Sequence, residues 1–169
     1  TTDDEIINII KHLKNRKARG HDCITNEMLK NAPPSIIPTL KSLFNYCLNN
    51  SYFPEPWKRS DIILFPKPGK DAADPNNYRP ISLLPTISKI FEKIISYRIK
   101  NYMDVIPQQQ YGFRPNLSTT NQIINMLEYI SKGKYKKETM ALILLDVAKA
   151  FDRVWHKGLI VTLKYMNFP

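Results

Sequence analysis

Asp146 is the residue whose setting points to chemistry first. It closes a near-continuous apolar run from Thr139 to Val147. A lone carboxylate drawn into an apolar interior costs several kcal/mol, so it must sit at the mouth of the element, pair with a cation or bind a metal ion. Capping a helix that begins near Ala148 satisfies the same constraint, and spacing alone leaves both uses open. Three cations, Lys67, Lys70 and Arg79, surround a Pro-Gly turn. Such a turn can hold cationic heads against a triphosphate, although an exposed Lys in a turn, Lys70 above all, also serves plain solubility. Arg114 lies beside Tyr111 and Phe113, which joins a phosphate-binding fork to stacking surfaces suited to a single strand of nucleic acid; the two rings can equally be packing residues. His12, His21 and His156 have no partner at metal-ligand spacing, and Cys23 and Cys47 are too few for a disulfide framework or a zinc site.

These residues need rigid elements to hold them. Asp3, Asp4 and Glu5 stand where a helix start favours negative charge, and Ile6, Ile7, Ile10 and Leu13 follow at helical spacing. Thr25 to Lys30 reads as a further turn or two. Ser35 is placed to cap a longer helix with Leu40, Leu43, Phe44, Cys47 and Leu48 as its apolar stripe, and Pro38 is tolerated in its first turn. Seven of the 13 prolines lie between Pro54 and Pro85, around the apolar stretches Ile62 to Phe65 and Ile81 to Leu84. That density disfavours central strands, so the spacing predicts edge or hairpin strands joined by an exposed loop from Pro66 to Arg79. Thr86 starts a strong helix with Ile87, Ile90, Phe91, Ile94, Ile95 and Ile99 on one face. Gln108 to Pro115 is a loop pivoting on Gly112, and Ser118 caps a helix with Ile123, Ile124, Leu127 and Ile130 as its stripe. The run from Thr139 to Val147 suits a strand buried on both faces, and Leu159, Ile160, Leu163 and Met166 mark a final short helix. The class is α+β, predominantly helical.

Composition narrows the partners. The 169 residues carry 25 Lys and Arg against 15 Asp and Glu, a formal charge of +10, and 43% are hydrophobic, enough for a core. A field of this sign attracts polyanions, nucleic acid first among them. The cations cluster: five from Lys11 to Arg19 without an acid, four from Lys89 to Lys100 against Glu92, and four from Lys132 to Lys137. Any one cluster reads as a solvated face; together they favour a polyanionic partner. The longest apolar run is far short of a membrane span and no secretory leader opens the chain, so an intracellular protein with no membrane partner is expected. The compartment is not legible. Oligomeric state is not legible either.

The stretch Leu145-Asp146-Val147-Ala148-Lys149-Ala150-Phe151-Asp152-Arg153-Val154-Trp155-His156 resembles the first catalytic motif of reverse transcriptases encoded by non-LTR retrotransposons, closest to the jockey-like elements. Phe65-Pro66-Lys67-Pro68-Gly69-Lys70-Asp71 with Asn77-Tyr78-Arg79-Pro80-Ile81-Ser82-Leu83-Leu84 resembles the family's fingers hairpin. Gln110-Tyr111-Gly112-Phe113-Arg114-Pro115 with Ser118-Thr119-Thr120 resembles its next block, and the blocks keep family order. The resemblance covers roughly residues 16 to 169. It implies the fingers and partial palm of a right-hand polymerase: an N-terminal helix over 1–15, fingers and the start of the palm over 16–138, and a first palm strand with its Asp and following helix over 139–169.

The implied activity is RNA-directed DNA synthesis for retrotransposition. The implied partners are an RNA template, a DNA primer and deoxynucleoside triphosphates, and the implied cofactor is Mg²⁺, two ions in the complete enzyme. Such ions, held about 4 Å apart, take oxygen ligands. Asp146 and the Val147 backbone carbonyl are the implied metal ligands, with Asp146 the catalytic residue. Lys67, Arg79 and Lys70 would face the triphosphate, and Arg114, Tyr111 and Phe113 the template. Phe151 would pack under the incoming sugar and exclude a 2′-hydroxyl, although a Phe at an apolar site is ordinarily core. Asp152 reads as structural, paired with a neighbouring Lys or Arg. Arg19 and Cys23 stand where the family usually has Pro and Gly, and Ala148 where Ser is commoner. If Cys23 is in a left-handed conformation, that turn is strained by roughly 1 kcal/mol or more. The family's paired-aspartate motif has no counterpart beyond Asp3-Asp4, so the chain is expected to be inactive alone. A non-enzymatic, basic nucleic-acid-binding remnant of a decayed element is the competing reading.

Overall fold

A computed structural model describes residues 1–100, 102 and 106–168. The chain divides into two compact units, Thr1–Arg98 and Ile99–Pro169. In the first, α1 (Asp3–Lys11), α2 (Asn26–Lys30) and α3 (Ile36–Asn49) precede a 3-10 turn at Glu55–Lys58 and an antiparallel hairpin of β1 (Asp61–Pro66) and β2 (Tyr78–Leu83); α4 (Thr86–Lys100) follows, all but its last two residues belonging to this unit. The predicted helices thus form, and their ends have local causes. The Thr2 hydroxyl accepts from the Glu5 N–H at 3.2 Å and that of Thr25 from the Met28 N–H at 3.2 Å, each satisfying a donor that the helix leaves unpaired. Ser35 does not cap: it is itself helical, with φ −61° and ψ −17°. The Ile36 and Ile37 N–H groups donate instead to the Pro33 and Pro34 carbonyls at 3.0 and 3.1 Å. A proline pair has already bent the chain into helical shape, leaving the hydroxyl no donor to satisfy.

The core lies where the apolar faces of α1, α3 and α4 meet the 3-10 turn. Ile6, Ile9, Phe44, Cys47, Ile90, Phe91 and Ile94 are almost completely buried. Phe44 stacks on Phe91 with centroids 5.4 Å apart, and the buried Trp57 lies 6.0 and 5.5 Å from those two rings, so aromatic geometry adds to the area removed from water. Ile99, placed by periodicity on the same face of α4, is 41% exposed. Ion pairs from Asp3 to Lys41 (3.1 Å) and from Glu5 to Arg98 (3.4 Å) tie α1 to its neighbours at half-exposed positions, where each contributes about 1 kcal/mol or less.

Between α1 and α2 the chain is stitched down rather than loose. The Asn26 side-chain amide donates to the Lys14 carbonyl at 2.7 Å, the Arg16 N–H donates to the Glu27 carboxylate, and the Thr86 hydroxyl donates to the Ile24 carbonyl at 2.6 Å. Gly20 is required by space: a Cβ there would lie 2.6–2.8 Å from backbone atoms of Leu84 and Pro85. The Cys23 N–H closes this turn onto the Gly20 carbonyl at 3.1 Å, and Cys23 takes φ +59°, the left-handed conformation anticipated for it.

In the second unit α5 (Thr119–Tyr135) and α6 (His156–Tyr165) form as the spacing predicts. Ser118 and Asn121 make a reciprocal capping box at the start of α5. The stripes are amphipathic but uncovered, with Ile123, Ile124 and Leu127 each more than half exposed. The buried palm strand expected at Thr139 to Val147 does not form. Among the described residues the sheet is β1–β2 alone, and Leu142, Ile143, Leu144 and Leu145 are 58–92% exposed. A strand's N–H and C=O groups need a neighbouring strand, and no described residue supplies one there. Among the described residues the architecture is mostly helical with one two-stranded hairpin.

Candidate functional site

The hairpin builds the first group of candidate residues. Its register pairs Phe65 with Arg79 and Pro66 with Tyr78, which puts Arg79 one pair from the connecting loop. The ladder continues as the Lys67 N–H donates to the Asn77 carbonyl at 2.7 Å. Lys67-Pro68-Gly69-Lys70 is then a tight turn, with the Lys70 N–H donating to the Lys67 carbonyl at 3.2 Å. Pro68 presets its φ, and Gly69 takes φ +70° with open space where a Cβ would stand, so conformation and not crowding calls for glycine. The rest of the loop is braced by its own polar groups. Asp71 accepts from the Ala73 N–H and Asp74 from the Asn76 N–H, both at 2.9 Å, while the Tyr78 hydroxyl donates to the Ala72 carbonyl at 3.0 Å. Lys67 is half-buried, its ammonium on the Asn76 carbonyl at 2.7 Å; Lys70 and Arg79 are exposed. Three cations thus share one end of an internally braced hairpin, and among the described residues none pairs with a carboxylate.

The second unit holds the remaining candidates. In the loop before α5 the Arg114 guanidinium donates to the Pro107 carbonyl at 3.2 Å, and Phe113 and Asn116 both take φ +63°. The Tyr111 hydroxyl accepts from the Asn125 side-chain amide at 3.3 Å, which anchors the loop to α5. Phe113 and Phe151 meet edge to face, centroids 6.4 Å apart, although both rings are more than four-fifths exposed. Phe151 is therefore not a core aromatic within its unit. Asp146 and Val147 are exposed, which removes the desolvation problem that made Asp146 conspicuous in the sequence. No helix begins at Ala148 for Asp146 to cap: residues 148–153 are a turn in which Lys149 takes φ +54° and its carbonyl accepts from the Asp152 and Arg153 N–H groups at 3.0 and 3.1 Å. Asp152 makes no ion pair with a described residue, so the pairing expected of it does not form.

The oxygen donors Asp146 and the Val147 carbonyl are the right type for Mg²⁺. Their number falls short: among the described residues no three His, Cys, Asp or Glu gather to hold a metal ion, so they do not make a two-ion site. No helix among them is long and apolar enough to cross a membrane. Sequence reading missed the carboxylates whose acidity is perturbed. Glu27 is held below the usual carboxylate range by the Arg16 backbone N–H, and Glu128 by the Lys132 ammonium at 2.8 Å. The second could have been read from its i,i+4 spacing; the first depends on a loop returning to α2.

A family profile described as "Reverse transcriptase (RNA-dependent DNA polymerase)" matches residues 65–169. The chain is 41% identical over 163 residues to a probable RNA-directed DNA polymerase from transposon X-element of Drosophila melanogaster, covering 95% of this chain and 18% of that protein. It is 37% identical over 169 residues to the RNA-directed DNA polymerase from mobile element jockey of the same fly, covering 98% and 18%. A 149 kDa uncharacterized protein of transposon TX1 from Xenopus laevis is 30% identical over 167 residues, covering 98% and 13%. The chain thus spans less than a fifth of the length of these relatives.

Proposed function

Because the chain belongs to the reverse transcriptase family, on its non-LTR, jockey-like side, we propose that it is the fingers and the start of the palm of an RNA-directed DNA polymerase. The observation that carries this reading is the braced hairpin, with Lys67, Lys70 and Arg79 at one end and no carboxylate of a described residue paired to them. Cationic groups held on a short rigid turn lose little freedom when they meet a triphosphate. Lys67 and Arg79 take the larger share, since the turn and the ladder position them directly. Arg114 supplies a guanidinium fork to the template phosphates, and Tyr111 and Phe113 supply ring faces for its bases. Phe151 crowds the 2′ position of the incoming sugar, so a ribonucleotide meets both a clash and an unsatisfied hydroxyl.

Asp146 and the Val147 carbonyl contribute part of an oxygen ligand set that other residues must complete. When bound, two magnesium ions stabilise the attacking and leaving oxygens of the transfer. The 169 residues alone then extend no primer. Joined to the downstream palm and thumb of a jockey-like relative, they support primer extension on an RNA template. In that chimera Asp146→Asn keeps the side-chain shape, removes the charge and abolishes extension, whereas Lys70→Ala lowers it modestly. Full extension by the Asp146→Asn chimera overturns the assignment of Asp146. A second reading, a basic nucleic-acid-binding remnant without catalysis, draws on the uncovered, unpaired segment around Asp146. It is selected if the chimera folds and binds template yet extends nothing.

A further inference from the structure

We propose that the outer edge of β1 docks an extended segment of a partner protein, an apolar strand with acidic ends, which adds to the hairpin as a third strand. The two edges of the hairpin differ. In an antiparallel ladder, residues alternate between turning their N–H and C=O groups toward the paired strand and turning them outward. The register and the Lys67 N–H on the Asn77 carbonyl fix the phase: Asp61, Ile63 and Phe65 bond to β2, while Ile62 and Leu64 of β1 and Tyr78, Pro80 and Ser82 of β2 face outward. On β2 most of the outward donors are gone. Pro80 has no N–H and the Tyr78 N–H turns back to the Pro75 carbonyl, which leaves Ser82. On β1 the Ile62 and Leu64 N–H and C=O groups all face away from the ladder, and among the described residues no further strand takes them.

Exposed edges are ordinarily blocked by a proline, a charge or a bulge. β2 has its proline, whereas Ile62 to Phe65 of β1 are four consecutive apolar residues, 42–63% exposed and paired one to one without a bulge. An open edge beside a closed one receives a strand on one side, held by main-chain hydrogen bonds. Ile62 and Leu64 lie on one face and Ile63, Phe65 and Ile81 on the other, so the added strand needs apolar side chains on both of its faces. Charge selects what lies beyond them. Arg59 precedes the edge and Lys67 and Lys70 follow it, none of them ion-paired with a described residue, and from Lys58 to Lys70 the one acid is Asp61. Asp71 and Asp74, further along the loop, accept from the Ala73 and Asn76 N–H groups. A second copy of this chain brings the same cations to the same ends, and its formal charge of +10 opposes the approach; acidic ends on a different protein complement them. The proposal goes beyond the polymerase reading, which makes no use of the β1 main chain.

The test uses the whole 169-residue chain and a fluorescein-labelled peptide with two Glu at each end and four alternating Val and Thr residues between them. Anisotropy should show saturable binding. Hydrogen exchange read by NMR should slow about tenfold or more at the Ile62 and Leu64 amides, while those of Ile63 and Phe65, already in the ladder, change little. Leu64→Pro removes one outward donor and spares the ladder, as Pro80 opposite it does, and should weaken binding about tenfold or more. Ser82→Pro makes the same change on β2 and should leave binding within about twofold, with Trp57 emission reporting that the core is intact in both. A peptide with Gln in place of Glu should bind about threefold or more weaker. Binding that leaves the Ile62 and Leu64 amides unchanged or survives Leu64→Pro overturns the proposal, as does equal affinity for the Gln peptide or no binding at all. So does protection of those two amides that rises with protein concentration alone, which assigns the edge to a second copy. None of these outcomes depends on primer extension, which decides the polymerase reading separately.

Discussion

Replacing Cys23 with glycine should stabilise the first unit, and the size of the effect follows from its backbone. At φ +59° a Cβ crowds the following carbonyl, which costs an L-residue about 1–2 kcal/mol relative to the right-handed regions. Glycine escapes this cost but enters folding from a more disordered chain, a penalty of about 0.5–1 kcal/mol. The thiol offers little to offset the strain, since it is exposed and its nearest acceptor, the His21 carbonyl, is 3.8 Å away. At the middle of both ranges the net expectation is a gain of about 0.75 kcal/mol, or roughly 3–6 °C in the melting temperature of a unit of this size. Trp57, buried in the aromatic cluster, reports the transition, and a Trp155→Phe background removes the other indole. Cys23→Ala is the control, because it deletes the thiol and keeps the Cβ. An unchanged or lower midpoint for Cys23→Gly, or an equal gain for Cys23→Ala, would refute the strain argument.

Phe44→Ala should cost about 3–5 kcal/mol by emptying the space between Phe91 and Trp57, read as a lower denaturant midpoint and lost near-ultraviolet signal. Alkylation followed by mass spectrometry should modify Cys23 in the folded protein and Cys47 only after unfolding, because burial both shields the Cys47 thiol and raises its pKa. Glu27 is depressed, so its contribution is fully present above the ordinary carboxylate range and is lost as pH falls through its lowered folded value; a carboxyl-carbon NMR titration should place its midpoint below that of an unfolded Glu. In the active chimera, Phe151→Ala should raise ribonucleotide relative to deoxyribonucleotide incorporation by about tenfold or more in single-nucleotide extension, while deoxyribonucleotide use survives; unchanged discrimination removes Phe151 from the sugar site.

The helices, the hairpin and the family were legible in the residues themselves. Helix periodicity and side-chain caps act within a few positions, so the helix starts at Asp3, Thr25 and Ser118 and the stripes of α1, α3 and α4 could be read locally, although Ser35 does not cap α3. The hairpin was legible for the same reason, its turn being specified by Pro68 and Gly69 and its loop by Asp71 and Asp74. Contacts distant in sequence were not. Nothing in the spacing announces that Phe44, Trp57 and Phe91 share one cluster, that Gly20 faces the backbone of Leu84 and Pro85, or that Lys89 reaches the carbonyl of Ala18. The same limit explains the strand expected from Thr139 to Val147. Hydrophobic character makes a segment suited to a strand, but its hydrogen bonds belong to a neighbour, and whether Asp146 stands at the mouth of a sheet is decided by the chain that lies beside it.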